Sequence, residues 1–275
     1  MSTQILKMAH KAYKLTDIGL NLTSDRFNKD RANVLHRAFD VGVQRHIITG
    51  TSLSCSEHAL ALALDESFIG TRYATAGLHP HSASEFNTQS FSALMNLWQH
   101  PKVVAIGETG LDFNRNFSSP KQQLDSFEKH LQAAADLKMP LFLHERDAAD
   151  DFLELLEHYR PQLDKAVVHC FTGTQAFLEK LLALDIYIGI TGWICDERRG
   201  QHLQSAVKII PDNRIMLETD SPYLLPRDMR PRPKSSRNEP AYLPHILNAV
   251  AHFRGQSAEE LALITETNVE RIFGL

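Results

Sequence analysis

Residues able to bind a metal or move a proton recur along this sequence, each just after a short apolar run. They are Asp17 and Asn21, His79 and His81, Glu108 and Asp112, His144 and Arg146, His169, and Glu218 and Asp220. Imidazoles with carboxylates suit zinc, manganese or a similar divalent ion, and an oxygen-dominated shell suits magnesium. Two imidazoles and two carboxylates of this set, His144, His169, Glu108 and Asp220, could gather round one such ion. A cation so held lowers the pKa of bound water and polarises a phosphoryl or carbonyl oxygen, which is the chemistry of hydrolysis. No Ser or Cys stands in a nucleophile-elbow sequence, so covalent catalysis is the less attractive route.

Taken singly these residues are ordinary. A lone histidine at a strand end is more often a satisfied polar residue than a ligand, and Asp220-Ser-Pro could be only a turn. Glu108 is harder to dismiss, because a carboxylate at the end of an apolar run needs a partner. The weight lies in the joint pattern. Cys170, beside His169, is expected to point away from the site by strand alternation and to be a core thiol.

The elements that must position these groups alternate regularly. Apolar runs at 14–20, 45–49, 73–77, 103–107, 141–144, 166–169, 186–190 and 215–218 read as strands buried on both faces. Helical stretches lie between them, the clearest at 120–138. There Ser119 is a candidate N-cap, Pro120 takes the first position, and Gln122 completes a capping box. Leu124, Phe127, Leu131, Ala134 and Ala135 then share one face. Weaker helices are expected at 31–41, 56–64, 90–98, 148–158, 174–184 and 199–209, with two more at 242–253 and 258–273. Eight βα units, with no Gly-x-Gly-x-x-Gly after the first strand, favour an α/β (β/α)8 TIM barrel over an open dinucleotide-binding sheet. Such barrels build their sites at the C-terminal strand ends, where the candidate residues fall. Residues 1–14 are expected to be a disordered N-terminal extension, and 15–275 a single barrel domain.

Bulk properties narrow the setting. With 275 residues, 43% hydrophobic and 23% charged, the chain can bury a sizeable core. A formal net charge of −4 excludes a polycation, so nucleic acid would have to be held by a local basic patch or a metal. Three cysteines give no disulfide framework. No signal-peptide run and no membrane-length apolar stretch is present, and a cytoplasmic protein without an obligate protein partner is expected.

The segment after the eighth strand carries Arg227, Arg230, Arg232, Lys234 and Arg237 against Asp228. Alone, such a charge run is more often a solvated loop. Beside a hydrolytic rim it would hold a phosphodiester backbone and make binding salt-sensitive. Arg230, Arg232 and Arg237 are therefore candidate substrate contacts, together with His79, His81 and Arg146. Phe113, Phe171, Trp193 and Tyr223 flank strand ends and could stack on unpaired bases.

Several strings resemble those of the TatD family of deoxyribonucleases, within the amidohydrolase-like metallo-dependent hydrolases. They are Ala-Gly-Leu-His-Pro-His at 76–81, Gly-Glu-Thr-Gly-Leu-Asp at 107–112 and Leu-His-Glu-Arg-Asp at 143–147. To these add His-Cys-Phe-Thr-Gly at 169–173, Leu-Glu-Thr-Asp-Ser-Pro-Tyr at 217–223 and Arg-Asn-Glu-Pro at 237–240. The likeness runs from Asp17 to Leu275. It implies metal ligation by Glu108, His144, His169 and Asp220, with Glu108 and Asp220 as catalytic groups. It also implies magnesium-dependent 3′–5′ exonuclease action on single-stranded DNA, with RNA as a further substrate, and a role in DNA repair or degradation. Many relatives end the first strand with His-x-His, where this chain has Gly19 and Asn21. Glycine offers no side-chain ligand, so the resemblance implies one firm ion on Glu108, His144 and His169. Asp220 is then a weaker ligand or the base for the attacking water. The alternative enzyme reading is an amidohydrolase-type hydrolase of a small amide or ester. It is weakened because the fourth strand offers Glu108 where that chemistry often uses a carboxylated lysine. A non-catalytic nucleic-acid-binding barrel is the third reading.

Overall fold

A computed structural model describes residues 14–275. The expectation for the N-terminal extension lies, apart from Lys14, outside the described residues. Strands and helices alternate as β1 (Leu15–Leu20), α1 (Arg31–Asp40), β2 (Val43–Ile48), α2 (Leu53–Leu64), β3 (Thr71–Ala76), α3 (Thr88–Trp98), β4 (Val103–Asp112) and α4 (Pro120–Leu137). They continue as β5 (Leu141–Arg146), α5 (Ala149–Tyr159), β6 (Ala166–Val168), α6 (Gln175–Ala183), β7 (Tyr187–Ile190), α7 (Gln201–Ala206), β8 (Ile215–Leu217), α8 (Leu243–Arg254) and α9 (Ala258–Phe273). All seven consecutive strand pairs are parallel, in the order β1 to β8. The last seam, between β8 and β1, is closed by short contacts. The Asp220 N–H donates to Gly19 O and the Asn21 N–H to Ser221 O, both at 2.9 Å. The Asp17 carboxylate accepts the Thr219 N–H at 2.9 Å and its hydroxyl at 2.5 Å. The fold is a (β/α)8 barrel.

The interior is filled by roughly one apolar side chain per strand. Ile18, Ile47, Val104, Phe142, Val167, Tyr187 and Met216 form one buried cluster, and Val269, Ile272 and Phe273 of α9 join it. The end of α9 therefore plugs the barrel. Side chains alternate along a strand, so the residue two positions beyond an interior one also faces inward. His144 follows Phe142, His169 follows Val167 and Glu218 follows Met216 in this way. Phe142 stacks on the His169 ring at 4.8 Å. The apolar layer is thus the floor on which the polar residues stand. The outward faces of the strands pack against the helices in a second, larger cluster.

The expected elements are present, with shifted ends. The Ser119–Gln122 capping box of α4 forms as its sequence predicts. The helix expected at 199–209 is shorter, because Gly200 caps it at Gln201 and it ends at Ala206. The largest correction is β4, expected to end at Gly107. It runs on to Asp112, and Thr109, Gly110, Leu111 and Asp112 pair with Leu143, His144, Glu145 and Arg146 after a register shift. Gly110 makes this possible. Its φ is +143°, and a Cβ there would lie 1.9 Å from His144 O. Glu108 consequently sits within a strand. Among the described residues no helix is long and apolar enough to cross a membrane.

Candidate active site

Glu108 stands at the centre of three imidazoles. Its Oε1 lies 2.8 Å from His169 Nε2, 2.9 Å from His144 Nδ1 and 3.3 Å from His79 Nε2. His79 follows β3, Glu108 is on β4, His144 on β5 and His169 just past β6, so four adjacent strands meet in one place. His79, Glu108 and His144 present ligand atoms all within 4.8 Å of one another. His169 adds a third nitrogen, 3.4 Å from His144 Nδ1. The sequence pattern points His79 toward substrate, but its ring joins the cluster itself. Its neighbour His81 sits edge-on to it, with ring centroids 4.3 Å apart, and meets Asp112 Oδ2 at 2.9 Å.

Burial raises the cost of ionising Glu108, but the surrounding His169 and His79 outweigh it and hold the carboxyl well below its usual range. Burial likewise works against protonating His169, and Glu108 and Glu218 reverse that, raising it well above an ordinary histidine. His144 is raised too, against burial, by the facing carboxylates of Asp112 and Glu108. For His79, desolvation outweighs the attraction of Glu108, the neighbouring imidazoles add to it, and the ring is pushed down to about 3. Asp112 is held low: His144, the Arg115 N–H and His81 overcome its burial.

Glu218 belongs to the rim pattern in the sequence, which gives it no role. It is fully buried, with Oε2 3.4 Å from His169 Nδ1 and Oε1 accepting the Cys170 N–H. A carboxylate on the far ring nitrogen of a histidine fixes its orientation and strengthens it as a ligand. Asp112 braces His81 and His144 similarly, with His144 Nε2 3.6 Å away. The available signal is spacing: Asp112 lies four residues beyond Glu108, on the same face of one strand. Asp220 stands beside this cluster. Its Oδ1 accepts the Asn21 amide N–H at 2.8 Å, and burial pushes its carboxyl up to about 7.

Apart from Glu218, these residues line an open cavity of about 850 Å³, with Arg146, Trp193, Arg199 and Tyr223 at its margins. Cys170 lines it as well, which corrects the expectation of an outward core thiol. The ladder still holds His169, whose N–H donates to Leu143 O, but Cys170 has a φ of +47°, so strand alternation no longer governs its direction. Of the four aromatic candidates, Trp193 and Tyr223 border the cavity. Phe171 is buried against Phe177, and Phe113 packs on the core. Arg232 borders an adjoining hollow of about 550 Å³ that shares Trp193, Arg199 and Leu224 with the main cavity. Arg230 borders a third, of about 220 Å³, with Arg227 and Arg232. Arg237 is not brought to these cavities. Its guanidinium pairs with Asp30 at 2.7 Å and Glu239 at 2.7 Å and lies over the Phe27 ring.

A parallel barrel with a histidine–carboxylate cluster at its strand ends defines a metallo-dependent hydrolase. The chain belongs to the TatD related DNase family, whose sequence profile matches residues 16–274. It is 54% identical to a protein of Pantoea vagans named 3′-5′ ssDNA/RNA exonuclease TatD, over 94% of this chain and 99% of that one. The protein of the same name from Escherichia coli K12 is 51% identical, over 94% and 98%. Among solved structures, a TatD family hydrolase from Entamoeba histolytica superposes with a TM-score of 0.85 at 26% identity, covering 95% of this chain and 98% of its own. The family goes with use of a divalent metal, and the donor set fits one. Imidazole and carboxylate converge, and His144 Nε2 is buried with no hydrogen-bond partner.

Proposed function

We propose that this chain is a metal-dependent 3′–5′ exonuclease acting on single-stranded DNA, with RNA as a further substrate. The observation that carries this reading is the Glu108 oxygen within 3.3 Å of three imidazole nitrogens. It lies at the floor of an open cavity, in a chain half identical to proteins bearing that activity in their names.

Glu108, His144 and His169 hold the cation in this reading, with His79 beside them and Asp220 as a further ligand. Magnesium is the working ion, and zinc or manganese also suits so imidazole-rich a set. Bound there, the ion supplies Lewis acidity toward a phosphoryl oxygen and the attacking water. Asp220 takes the proton from that water. Burial raises its carboxyl, and the adjoining cation would favour its ionised, proton-accepting form. The Asn21 amide orients it through a hydrogen bond to one oxygen. Glu218 and Asp112 fix the rings of His169, His144 and His81. Arg146, exposed at the end of β5, and His81 are placed to meet phosphate oxygens. Trp193 and Tyr223, the latter half exposed, offer faces for unpaired bases. Arg230 and Arg232 extend the cationic track along the loop after β8, toward nucleotides upstream of the cleaved bond. The setting is DNA repair or degradation in the cytoplasm.

The test is digestion of end-labelled single- and double-stranded DNA and RNA with magnesium, manganese or zinc. Mononucleotides released progressively from the 3′ end of single strands, and none by Glu108→Ala, are expected. Activity retained by that variant would reject the site, and release from the 5′ end would reject the polarity.

A further inference from the structure

A second group of ligating side chains lies outside the active-site cavity. Cys195 ends the 3-10 turn that follows β7, Asp228 belongs to the loop after β8, and His245 is in the first turn of α8. The Cys195 sulfur, an Asp228 oxygen and a His245 nitrogen all lie within 4.8 Å of one another. His245 Nε2 meets Asp228 Oδ1 at 2.7 Å. Three segments far apart in sequence thus aim three different ligand types at one point.

The chemistry of the trio is selective. A thiolate, an imidazole and a carboxylate make a borderline-soft set that suits zinc, whereas magnesium and calcium prefer oxygen alone. The charges also match. Asp228 faces His245, while the nearby Asp196 is neutralised by Arg199 and Arg227. With its thiol ionised, the trio carries two negative charges, which a divalent cation balances. Accessibility is graded too: Cys195 is 4% exposed, whereas the side chains of Asp228 and His245 keep 37% and 33%. The outer side is therefore open to water, which can supply a fourth ligand.

We propose that Cys195, Asp228 and His245 form a second metal site, selective for zinc or a similarly thiophilic divalent ion and distinct from the catalytic cluster. Its role is structural. Binding releases the thiol proton to solvent and ties the loop bearing Arg227, Arg230 and Arg232 to the end of β7 and the start of α8. The same loop borders two of the hollows beside the active site, so the ion would set where its arginines stand.

Cobalt(II) titration of the full reduced chain tests this, because a cobalt–thiolate bond gives a near-ultraviolet charge-transfer band that an oxygen–nitrogen site does not. A band whose final intensity corresponds to one thiolate-bound cobalt per chain, discharged by zinc, is expected. It should vanish in Cys195→Ser and need at least about tenfold more cobalt in His245→Ala. It should persist in Cys170→Ser, whose sulfur lines the other cavity. Because the titration of the unaltered chain is informative alone, a variant that folds poorly does not decide the matter. No band in the unaltered chain would overturn the proposal, as would a band that disappears with Cys170 in place of Cys195. Unchanged cobalt affinity in His245→Ala would remove histidine from the site and overturn it as stated.

Discussion

The Glu218 carboxylate occupies the space that any side chain at position 19 would need. A Cβ on Gly19 would lie 2.1 Å from Glu218 Oε2, and one on Gly189 would lie 2.5 Å from Oε1. Two strands flanking β8 thus leave a slot, and Glu218 fills it to brace His169 from behind. In the sequence, Gly19 looks like a ligand position that has been vacated. In the structure it is the room that a different positioning device requires, and Asn21 two residues on has turned to Asp220.

Gly19→Ala should therefore destabilise the chain by about 1–3 kcal/mol, the usual cost of forcing atoms into a packed interior. Glu218→Ala in the same chain should recover part of that stability, because the two groups compete for one volume. Denaturant unfolding of the two single variants and the double variant measures the coupling. Additive effects would show that the slot relaxes independently of Glu218.

Asp112→Asn should lower kcat/KM on single-stranded DNA by about 10–100-fold while changing stability little, as expected for a group that orients ligands. The amide retains the shape and an acceptor for the Asn114 and Arg115 N–H groups. It removes the charge facing His81 and His144. Activity within a factor of two or so of the parent would mean that these rings are held by packing alone.

How far the sequence reveals this site depends on what each residue looks like in one dimension. Strands buried on both faces appear as apolar runs, so the barrel and the rim positions of Glu108, His144 and His169 are legible. The continuation of β4 is not, because Glu-Thr-Gly resembles a turn until β5 is there to pair with it. Glu218 is illegible for a different reason: a carboxylate at a strand end reads the same whether it binds an ion or braces the residue that does. Arg237 reads as a substrate contact because its partners, Asp30 and Glu239, come from either side of the barrel seam. Only the closure of β1 on β8 brings them together.

The same closure has a pH signature. Asp17 accepts two hydrogen bonds from Thr219, and burial pushes its carboxyl up to about 7. The folded chain thus keeps a proton that the unfolded chain releases near the ordinary aspartate value. Its contribution to stability is complete below about pH 4 and is lost as pH rises through about 7. The amide of an Asp17→Asn variant does not titrate. The melting temperature of the parent minus that of Asp17→Asn should therefore fall as pH is raised from about 5 to about 8.5. A difference that stays constant, or grows, would show that Asp17 is already ionised in the folded chain at the lower pH.

The arginines after β8 separate into two kinds, and salt dependence tells them apart. Arg230 and Arg232 are exposed and border hollows next to the active site. Each single-strand phosphate that is no longer neutralised should reduce the slope of log affinity against log salt by about 0.7. Arg230→Ala with Arg232→Ala should flatten that slope and leave unfolding nearly unchanged. Arg237→Ala should do the reverse. Its side chain is 17% exposed and neutralises Asp30 and Glu239 together, so its removal leaves two carboxylates facing Arg37 alone. A destabilisation of about 2 kcal/mol is expected, smaller than for a fully buried pair because Asp30 still reaches water. Its salt slope should match that of the parent. A flattened slope in Arg237→Ala, with stability intact, would return that residue to the substrate.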